Sequence, residues 1–223
     1  LSFNKFKANN KLRSEGISVA DSIEIQRGEV LSESRISEMA QILKIPCFVK
    51  PNKGGSSLGI SRVERTTDLR EAIKFAFDTD CPSVLIESLL EGREFSVGVV
   101  PDEKGIPIVM PITEIITENA FFDYEAKYEG VSKEITPAQI SSESTALIQK
   151  TALKATEILN CKGMVRVDLI LVNDEVPAVL EVNSVPGFTQ ESILPQQLIC
   201  AGIGFSDMIS RILNGILNKN NKK

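Results

Sequence analysis

Apolar residues recur along this chain with two different periods, and the period indicates which segments form helices and which form strands. Spacings of three and four residues predict amphipathic helices over residues 3–14 and in four later segments, centred on Met39, Ile73, Ala152 and Met208. Short runs rich in Val, Ile and Leu predict strands instead. These runs are 47–50, 60–63, 84–87, 94–100, 106–110, 112–116, 164–172 and 177–182.

The order of these elements predicts an α+β fold with two lobes. Residues 1–86 combine helices with short strands and form the smaller lobe, in which Thr66 or Thr67 should cap the third helix. Residues 87–223 carry most of the strands and form the larger lobe. A polar, aromatic stretch at 117–137 lies inside it, and loops of that length in compact domains usually act as lids or binding loops.

Composition and charge narrow the classes of function. The 223 residues are 42% apolar and 25% charged, which is ordinary for a soluble globular protein. The net charge of −5 argues against nucleic-acid binding, and no run approaches the roughly 20 apolar residues of a membrane helix. Four separated cysteines without a Cys-x-x-Cys motif are typical of reduced thiols in a cytoplasmic protein. The absence of histidine excludes Ser-His-Asp, Cys-His and histidine–zinc chemistry.

Two neighbouring strands of the larger lobe predict a β-hairpin with polar side chains on one face. Because side chains alternate along a strand, Arg166 and Asp168 share a face, and so do Glu181 and Asn183. A four-residue loop would set Asp168 opposite Glu181 and Arg166 opposite Asn183, whereas a two-residue loop would make them diagonal neighbours. Two carboxylates and an amide oxygen suit Mg²⁺, and a solvated polar face is the alternative. The opposite face should be buried, since it carries Val167, Leu169, Leu171, Leu180 and Val182.

The smaller lobe carries a candidate phosphate site. Lys50 ends an apolar strand, and a Gly/Ser-rich loop at 51–59 follows it before the next strand. Glycines let backbone N–H groups approach a phosphate and serines add donors, so this hairpin predicts a flap over a nucleotide; a plain connector is the alternative. Between the lobes, residues 84–95 carry apolar side chains and carboxylates that suit adenine and ribose, with Glu94 on the ribose hydroxyls. An edge strand with solvated glutamates is the alternative there.

Six stretches, in this order, resemble the ATP-grasp superfamily and, within it, the D-alanine–D-alanine ligase family. They are Phe3-Asn4-Lys5, VKPNKGGSSLG at 49–59, VLIESLLEGREFSV at 84–97, FFDYEAKY at 121–128, GMVRVDLI at 163–170 and LEVNSVPGFTQESILP at 180–195. The resemblance covers almost the whole chain. It implies an ATP-grasp fold in which the nucleotide lies between antiparallel sheets of the two lobes. The N-terminal substrate domain of the family has no counterpart in these residues.

The resemblance implies roles in nucleotide and metal binding for the matching residues. ATP phosphates would be held by Lys5 and Lys50, and the transferred phosphate would be supported by Lys127. Adenine and ribose would contact Glu87, Leu90, Glu94, Phe121 and Leu180. Two Mg²⁺ ions, replaceable by Mn²⁺, would be bound by Asp168, Glu181 and Asn183.

The resemblance also implies a catalytic set. Ser56 and Tyr128 would meet through a hydrogen bond and close the site. Arg166 and the Gly187 N–H would stabilise an oxyanion, and Ser192 would help to hold the carboxylate of the second substrate.

The implied function is ATP-dependent joining of two D-alanine molecules through an acyl phosphate, for peptidoglycan precursors of the cell wall. Another ATP-grasp carboxylate–amine ligase, a D-alanine–D-lactate ligase and a non-catalytic ATP-binding remnant are the alternatives. Tyr128 favours a dipeptide product. The family further implies a cytoplasmic homodimer whose partners are the small molecules ATP and D-alanine, with no nucleic acid and no membrane.

Overall fold

A computed structural model describes residues 1–55, 58–117 and 132–220. The helices of these residues are α1 (Lys5–Ser14), α2 (Glu33–Leu43), α3 (Leu69–Phe77), α4 (Ser142–Ile158), α5 (Ile193–Cys200) and α6 (Phe205–Asn220). The strands are β1 (Ser22–Gln26), β2 (Cys47–Pro51), β3 (Ser61–Val63), β4 (Ser83–Ser88), β5 (Gly92–Pro101), β6 (Pro107–Val109), β7 (Thr113–Thr117), β8 (Ser132–Ile135), β9 (Val165–Val172) and β10 (Val176–Asn183). No helix among the described residues is long and apolar enough to cross a membrane.

The smaller sheet has four antiparallel strands in the order β1-β4-β2-β3. α2 and α3 cover one face of it, because their periodic apolar residues meet buried side chains of β2 and β4. Ser32 starts α2 by accepting a hydrogen bond from the N–H of Arg35. The expected cap of α3 is wrong, since Thr66 and Thr67 belong to a short 3₁₀ turn and Asp68 occupies the N-cap position.

The larger sheet is antiparallel, with the order β10-β9-β5-β7-β8 and with β6 paired to β5. Its strands alternate between a buried face and an open face, so Phe95 and Leu169 pack under α4. α1 packs into the same core through Ala8 and Leu12, although it precedes the smaller sheet along the chain. α5 and α6 form a separate apolar cluster with the end of β5.

The polar stretch at 117–137 is not one uninterrupted loop, which corrects the expectation from sequence. Its last part, Ser132–Ile135, forms β8 and pairs antiparallel with β7. A four-residue polar edge strand carries little of the apolar signal on which strand prediction depends. The prediction of a lid concerns residues 118–131, which lie outside the described residues.

β9 and β10 form the predicted hairpin with a different turn. Three residues join the strands instead of four, and Asn173 and Asp174 adopt the left-handed backbone conformation, with φ of 52° and 58°. The register then shifts between Val179 and Glu181, which makes Leu180 an extra residue in β10.

The shorter turn and the bulge compensate for each other. Asp168 pairs with Glu181 and Arg166 with Asn183, as the sequence predicted for a longer loop. The prediction for Leu180 is corrected: the other apolar residues of its predicted face are buried, but Leu180 is half-buried and lines the open side.

A cleft of about 960 Å³ lies between the two sheets, within the size range of small-molecule binding sites. Lys50 and Glu87 line it from the smaller sheet, while Glu94, Asp168 and Glu181 line it from the larger one. The polar face of the hairpin therefore faces the smaller sheet and not bulk solvent.

Candidate functional site

Asp168 is a carboxylate of the cleft that accepts hydrogen bonds from three side chains of the described residues. Arg166 donates to both of its oxygens, from Nε to Oδ1 at 2.9 Å and from Nη2 to Oδ2 at 2.8 Å. Ser96 Oγ donates to Oδ1 at 2.7 Å, and Asn183 Nδ2 donates to Oδ2 at 2.9 Å. The charge of Asp168 raises the pKa of the Arg166 guanidinium above its ordinary value, against the effect of burial. The guanidinium and the carboxylate thus hold each other in a fixed orientation.

Glu181 is linked to the smaller lobe through Lys5. The Lys5 ammonium lies 3.2 Å from the Glu181 carboxylate and donates to the carbonyl oxygen of Gly54 at 2.9 Å. Asn4 caps α1 and places Lys5 in its first turn, where the side chain is almost fully buried. Lys5 thus joins the Gly/Ser-rich loop to Glu181, which belongs to the metal-binding candidates of the larger sheet (Asp168, Glu181 and Asn183).

On the smaller sheet, Lys50 and Glu87 form an ion pair that faces the cleft. Glu87 is buried and also accepts a hydrogen bond from Asn9 Nδ2 at 2.8 Å. Glu87 was expected to contact adenine or ribose, but in this structure its carboxylate is bound by Lys50 and Asn9. The Lys50 ammonium stands at the cleft, where an anionic ligand would compete with Glu87 for it.

An apolar slot continues from these charges along the cleft. Leu90, which follows β4, Leu180, at the bulge of β10, and Ile170 of β9 all line it. Glu94, on the same face of β5 as Ser96, lines the slot beside them. A flat apolar ligand with a polar rim fits these walls.

The other end of the cleft is formed by the turn before α5. Ser192 Oγ accepts from the N–H of Thr189 at 3.1 Å, and the hydroxyls of the two residues lie 3.0 Å apart. A Cβ added at Gly187 would lie 2.9 Å from Ser192 Oγ, so a larger residue at this position would force the serine hydroxyl to move. Gly187 and Ser192 both line the cleft, at the same end as Arg166.

The donor set fits a hard divalent cation, although no group of three or more Cys, Asp or Glu side chains converges within the described ranges. Asp168 and Glu181 supply carboxylates, and Asn183, whose nitrogen is engaged by Asp168, keeps its carbonyl oxygen for another partner. Seven carboxylates and three basic side chains line the described part of the cleft. An anionic ligand would therefore need accompanying cations there.

The sequence reasoning missed several residues of the site. Ser96 orients Asp168, and buried Gln197 joins α5 to the sheet through the N–H of Gly98 and the carbonyl oxygen of Ser96. Glu134 of β8 also lines the cleft. The alternation of Glu94 and Ser96 on β5 was a signal for Ser96, whereas nothing in the sequence indicated Glu134 or Gln197.

Four predicted site residues lie outside the described residues: Ser56, Phe121, Lys127 and Tyr128. The remaining predicted residues lie in or beside one cleft, and their individual roles remain predictions.

A family model described as "D-ala D-ala ligase C-terminus" matches residues 12–214. Among curated relatives, the D-alanine–D-alanine ligase of Flavobacterium johnsoniae is 46% identical over 213 residues, which are 96% of this chain and 64% of the relative. That of Parabacteroides distasonis is 40% identical over 222 residues, 100% of this chain and 66% of the relative. The chain thus spans slightly less than two thirds of the length of these relatives.

Solved structures agree in fold. The VanG D-Ala:D-Ser ligase from Enterococcus faecalis has a TM-score of 0.82 at 32% identity, covering 96% of this chain and 61% of that one. A D-alanine–D-alanine ligase from Bacillus anthracis complexed with ATP has a TM-score of 0.80 at 28% identity, covering 100% of this chain and 68% of that one. The α+β, ATP-grasp fold expected from sequence is confirmed.

Proposed function

The chain belongs to the D-ala D-ala ligase C-terminus family, and we propose that it is the part of an ATP-dependent D-alanine–D-alanine ligase that binds the nucleotide and joins the two amino acids. The observation that carries this proposal is the cleft itself. Lys50 and Glu87 line it from the smaller sheet, apolar side chains including Leu90 and Leu180 line it as well, and Arg166, Asp168 and Asn183 lie on one face of the larger sheet.

ATP binds across the cleft in this proposal. Its phosphates lie near the ammonium groups of Lys5 and Lys50, which offset their negative charge, and Lys50 exchanges Glu87 for phosphate. The base occupies the apolar slot between Leu90 and Leu180, and Glu94 accepts from the ribose hydroxyls.

Asp168, Glu181 and Asn183 would hold Mg²⁺, because hard oxygen donors are the ligands that this ion prefers. When bound, the ion would offset phosphate charge that the lysines leave uncompensated. The hydrogen bonds from Ser96 and Arg166 keep Asp168 in a single orientation, which reduces the cost of ordering the site.

The reaction joins a carboxylate to an amine. A carboxylate oxygen of one D-alanine attacks the γ-phosphorus, the bond to the β–γ bridging oxygen breaks, and ADP and an acyl phosphate result. The amino group of a second D-alanine, after losing a proton, then attacks the acyl carbon and forms a tetrahedral intermediate. This intermediate collapses to the amide as the bond to phosphate breaks, and phosphate and a second proton from the nitrogen are released. Arg166 and the Gly187 N–H stabilise the oxyanion of the tetrahedral intermediate, and Ser192 holds the second carboxylate.

The same proposal places the protein in the cytoplasm, where ATP and cell-wall precursors meet, and makes it a homodimer like the family it resembles. Both features can be measured directly, by cell fractionation and by sedimentation.

The test is dipeptide formation by the intact protein from ATP and D-alanine, with and without Mg²⁺. We expect D-alanyl-D-alanine, ADP and phosphate in equal amounts. Glu181→Gln should lower kcat/KM by at least about 100-fold, beyond the 10–100-fold typical of groups that only orient metal ligands. Glu175→Gln, an exposed charge in the turn of the same hairpin, serves as the control and should leave activity unchanged.

Other outcomes would decide against this activity. Faster turnover with D-lactate or D-serine as the second substrate would indicate a different ligase. Nucleotide binding without any turnover would indicate an ATP-binding remnant.

A further inference from the structure

Glu134 is a carboxylate of the cleft to which the mechanism above gives no role. It lies on β8, paired with Ile115 of β7, which in turn pairs with Glu94 of β5. Directly paired residues share a face of a sheet, so Glu134 projects from the same face as Glu94 into the cleft.

Among the described residues, Glu134 has no cationic partner in direct contact. Within residues 1–55, 58–117 and 132–220 no lysine or arginine nitrogen lies within 4.0 Å of its carboxylate. Its hydrogen-bond partner there is the neutral amide of Gln196, at 3.3 Å. Burial raises the pKa of the Glu134 carboxyl, against the weaker opposing effects of Gln196 and Arg166. A half-buried carboxylate with one long, neutral hydrogen bond gains free energy from a cation that approaches it.

Glu134 lies near the place proposed above for the second substrate. The amide of Gln196 donates to Glu134 and also to the carbonyl oxygen of Glu191, at 2.9 Å. Gln196 lies one turn after Ser192, the N-cap residue of α5, whose carbonyl oxygen accepts from the Gln196 N–H at 3.3 Å. Ser192 is the residue proposed to hold the second carboxylate. One small amino acid can therefore reach Ser192 with its carboxylate and Glu134 with its ammonium group.

We propose that Glu134 recognises the ammonium group of the second substrate and so selects an amino acid over the hydroxy acid of the same shape. This inference rests on the proposed ligase function. An ammonium group forms a charge-assisted hydrogen bond with the carboxylate, whereas a hydroxyl forms a neutral and weaker one. Discrimination by charge at this position is independent of the size of the substrate side chain.

The test compares Glu134→Gln with the wild-type intact protein. We measure the KM of D-alanine as the second substrate and the inhibition constant of D-lactate against it. The glutamine keeps the shape and the contact with Gln196 but removes the charge. The KM should rise about tenfold, the difference expected between charge-assisted and neutral hydrogen bonds, while the D-lactate constant stays within about twofold. Neither constant depends on the fraction of folded enzyme.

Glu175→Gln is the control, since it removes an exposed carboxylate in the β9–β10 turn, outside the cleft, and should change neither constant. Equal changes in both constants for Glu134→Gln, or no change in either, would overturn the inference alone. A wild-type protein that forms no dipeptide would overturn the proposed function, and this inference with it.

Discussion

The carboxylates of the cleft differ in how far their charges are compensated. Asp168 receives hydrogen bonds from Arg166, Ser96 and Asn183, so its charge and orientation are fixed before any ligand arrives. Glu134, on the last strand of the same sheet, receives one bond from a neutral amide. A partly buried carboxylate with so weak a partner lowers the stability of the folded protein, and a bound cation restores it. Such residues are common at functional sites.

At the scale of this one residue, Glu134→Gln should change the dependence of stability on pH. Burial raises the pKa of Glu134 in the folded protein above the ordinary value of 4.5. At a pH between these two pKa values, the folded protein keeps a proton on Glu134 that the unfolded chain has released. The contribution of this group to stability is therefore lost as pH rises through that window. Urea unfolding should show the variant more stable than wild type at neutral pH, with the difference shrinking below the ordinary carboxyl pKa.

Glu191→Gln provides the comparison for this experiment, since that carboxylate is exposed. A stability difference for Glu134→Gln that is the same at neutral and acidic pH would contradict the explanation.

At the scale of elements, the β9–β10 hairpin positions the metal-binding candidates through a bulge. Val179 and Val182 belong to the buried core, while Glu181 between them faces the cleft. Leu180 is the extra residue of the bulge, and its side chain reaches the cleft. The other side chains of β10 keep the faces that they would have in a regular strand. The bulge thus adds one apolar wall residue to an otherwise regular hairpin.

Deleting Leu180 should keep the fold and remove only that wall. Val179 would then precede Glu181 directly, so Asp168 and Glu181 would still pair and the buried face would be unchanged. Leu180 is half-buried, so loss of its contact costs less than the roughly 1.5–3 kcal/mol of a fully buried leucine. ATP binding should weaken by about three- to tenfold, while its dependence on Mg²⁺ persists. Calorimetric titration measures both quantities.

Leu180→Ala, which keeps the bulge, should weaken ATP binding to a similar degree. If the deletion variant does not fold but Leu180→Ala does, then the bulge itself is needed for the register.

At the scale of the whole molecule, α1 connects the two lobes. Its apolar face packs into the core of the larger sheet, while the N–H of Phe6 donates to Asn52 Oδ1 in the smaller lobe, at 2.9 Å. Lys5 extends this connection to Gly54 and Glu181. The Gly/Ser-rich loop is therefore held toward the metal-binding candidates by a helix that belongs to the opposite core.

Lys5→Met should uncouple the loop from the larger lobe. Methionine retains the packing of the aliphatic stem but loses the ammonium group, so we expect weaker ATP binding by about tenfold or more and faster tryptic cleavage at Lys53. Lys7→Met, at an exposed position of the same helix, controls for the loss of a positive charge. Equal effects of the two variants would show that Lys5 acts only through net charge.

Much of the fold and part of the site could be predicted from the sequence, because they depend on neighbours along the chain. The alternation of Arg166 with Asp168 and of Glu181 with Asn183 placed these residues on common faces, and a local turn joined the two strands. Even here the pairing was predicted through a loop one residue too long, and the bulge at Leu180 restored the register.

Local pattern and composition by themselves determined the α+β class, the polar face of the hairpin and the absence of histidine chemistry, because period and residue type need no knowledge of distant partners. Tertiary structure alone decided that Ser96 lies beside Asp168, that Lys5 reaches Glu181 and that Glu134 meets Gln196. These contacts join residues 62 to 176 positions apart, and they exist only because β5 lies between β9 and β7 and because α1 crosses to the other lobe. Strand order and the packing of whole elements set such contacts, and no local pattern encodes them.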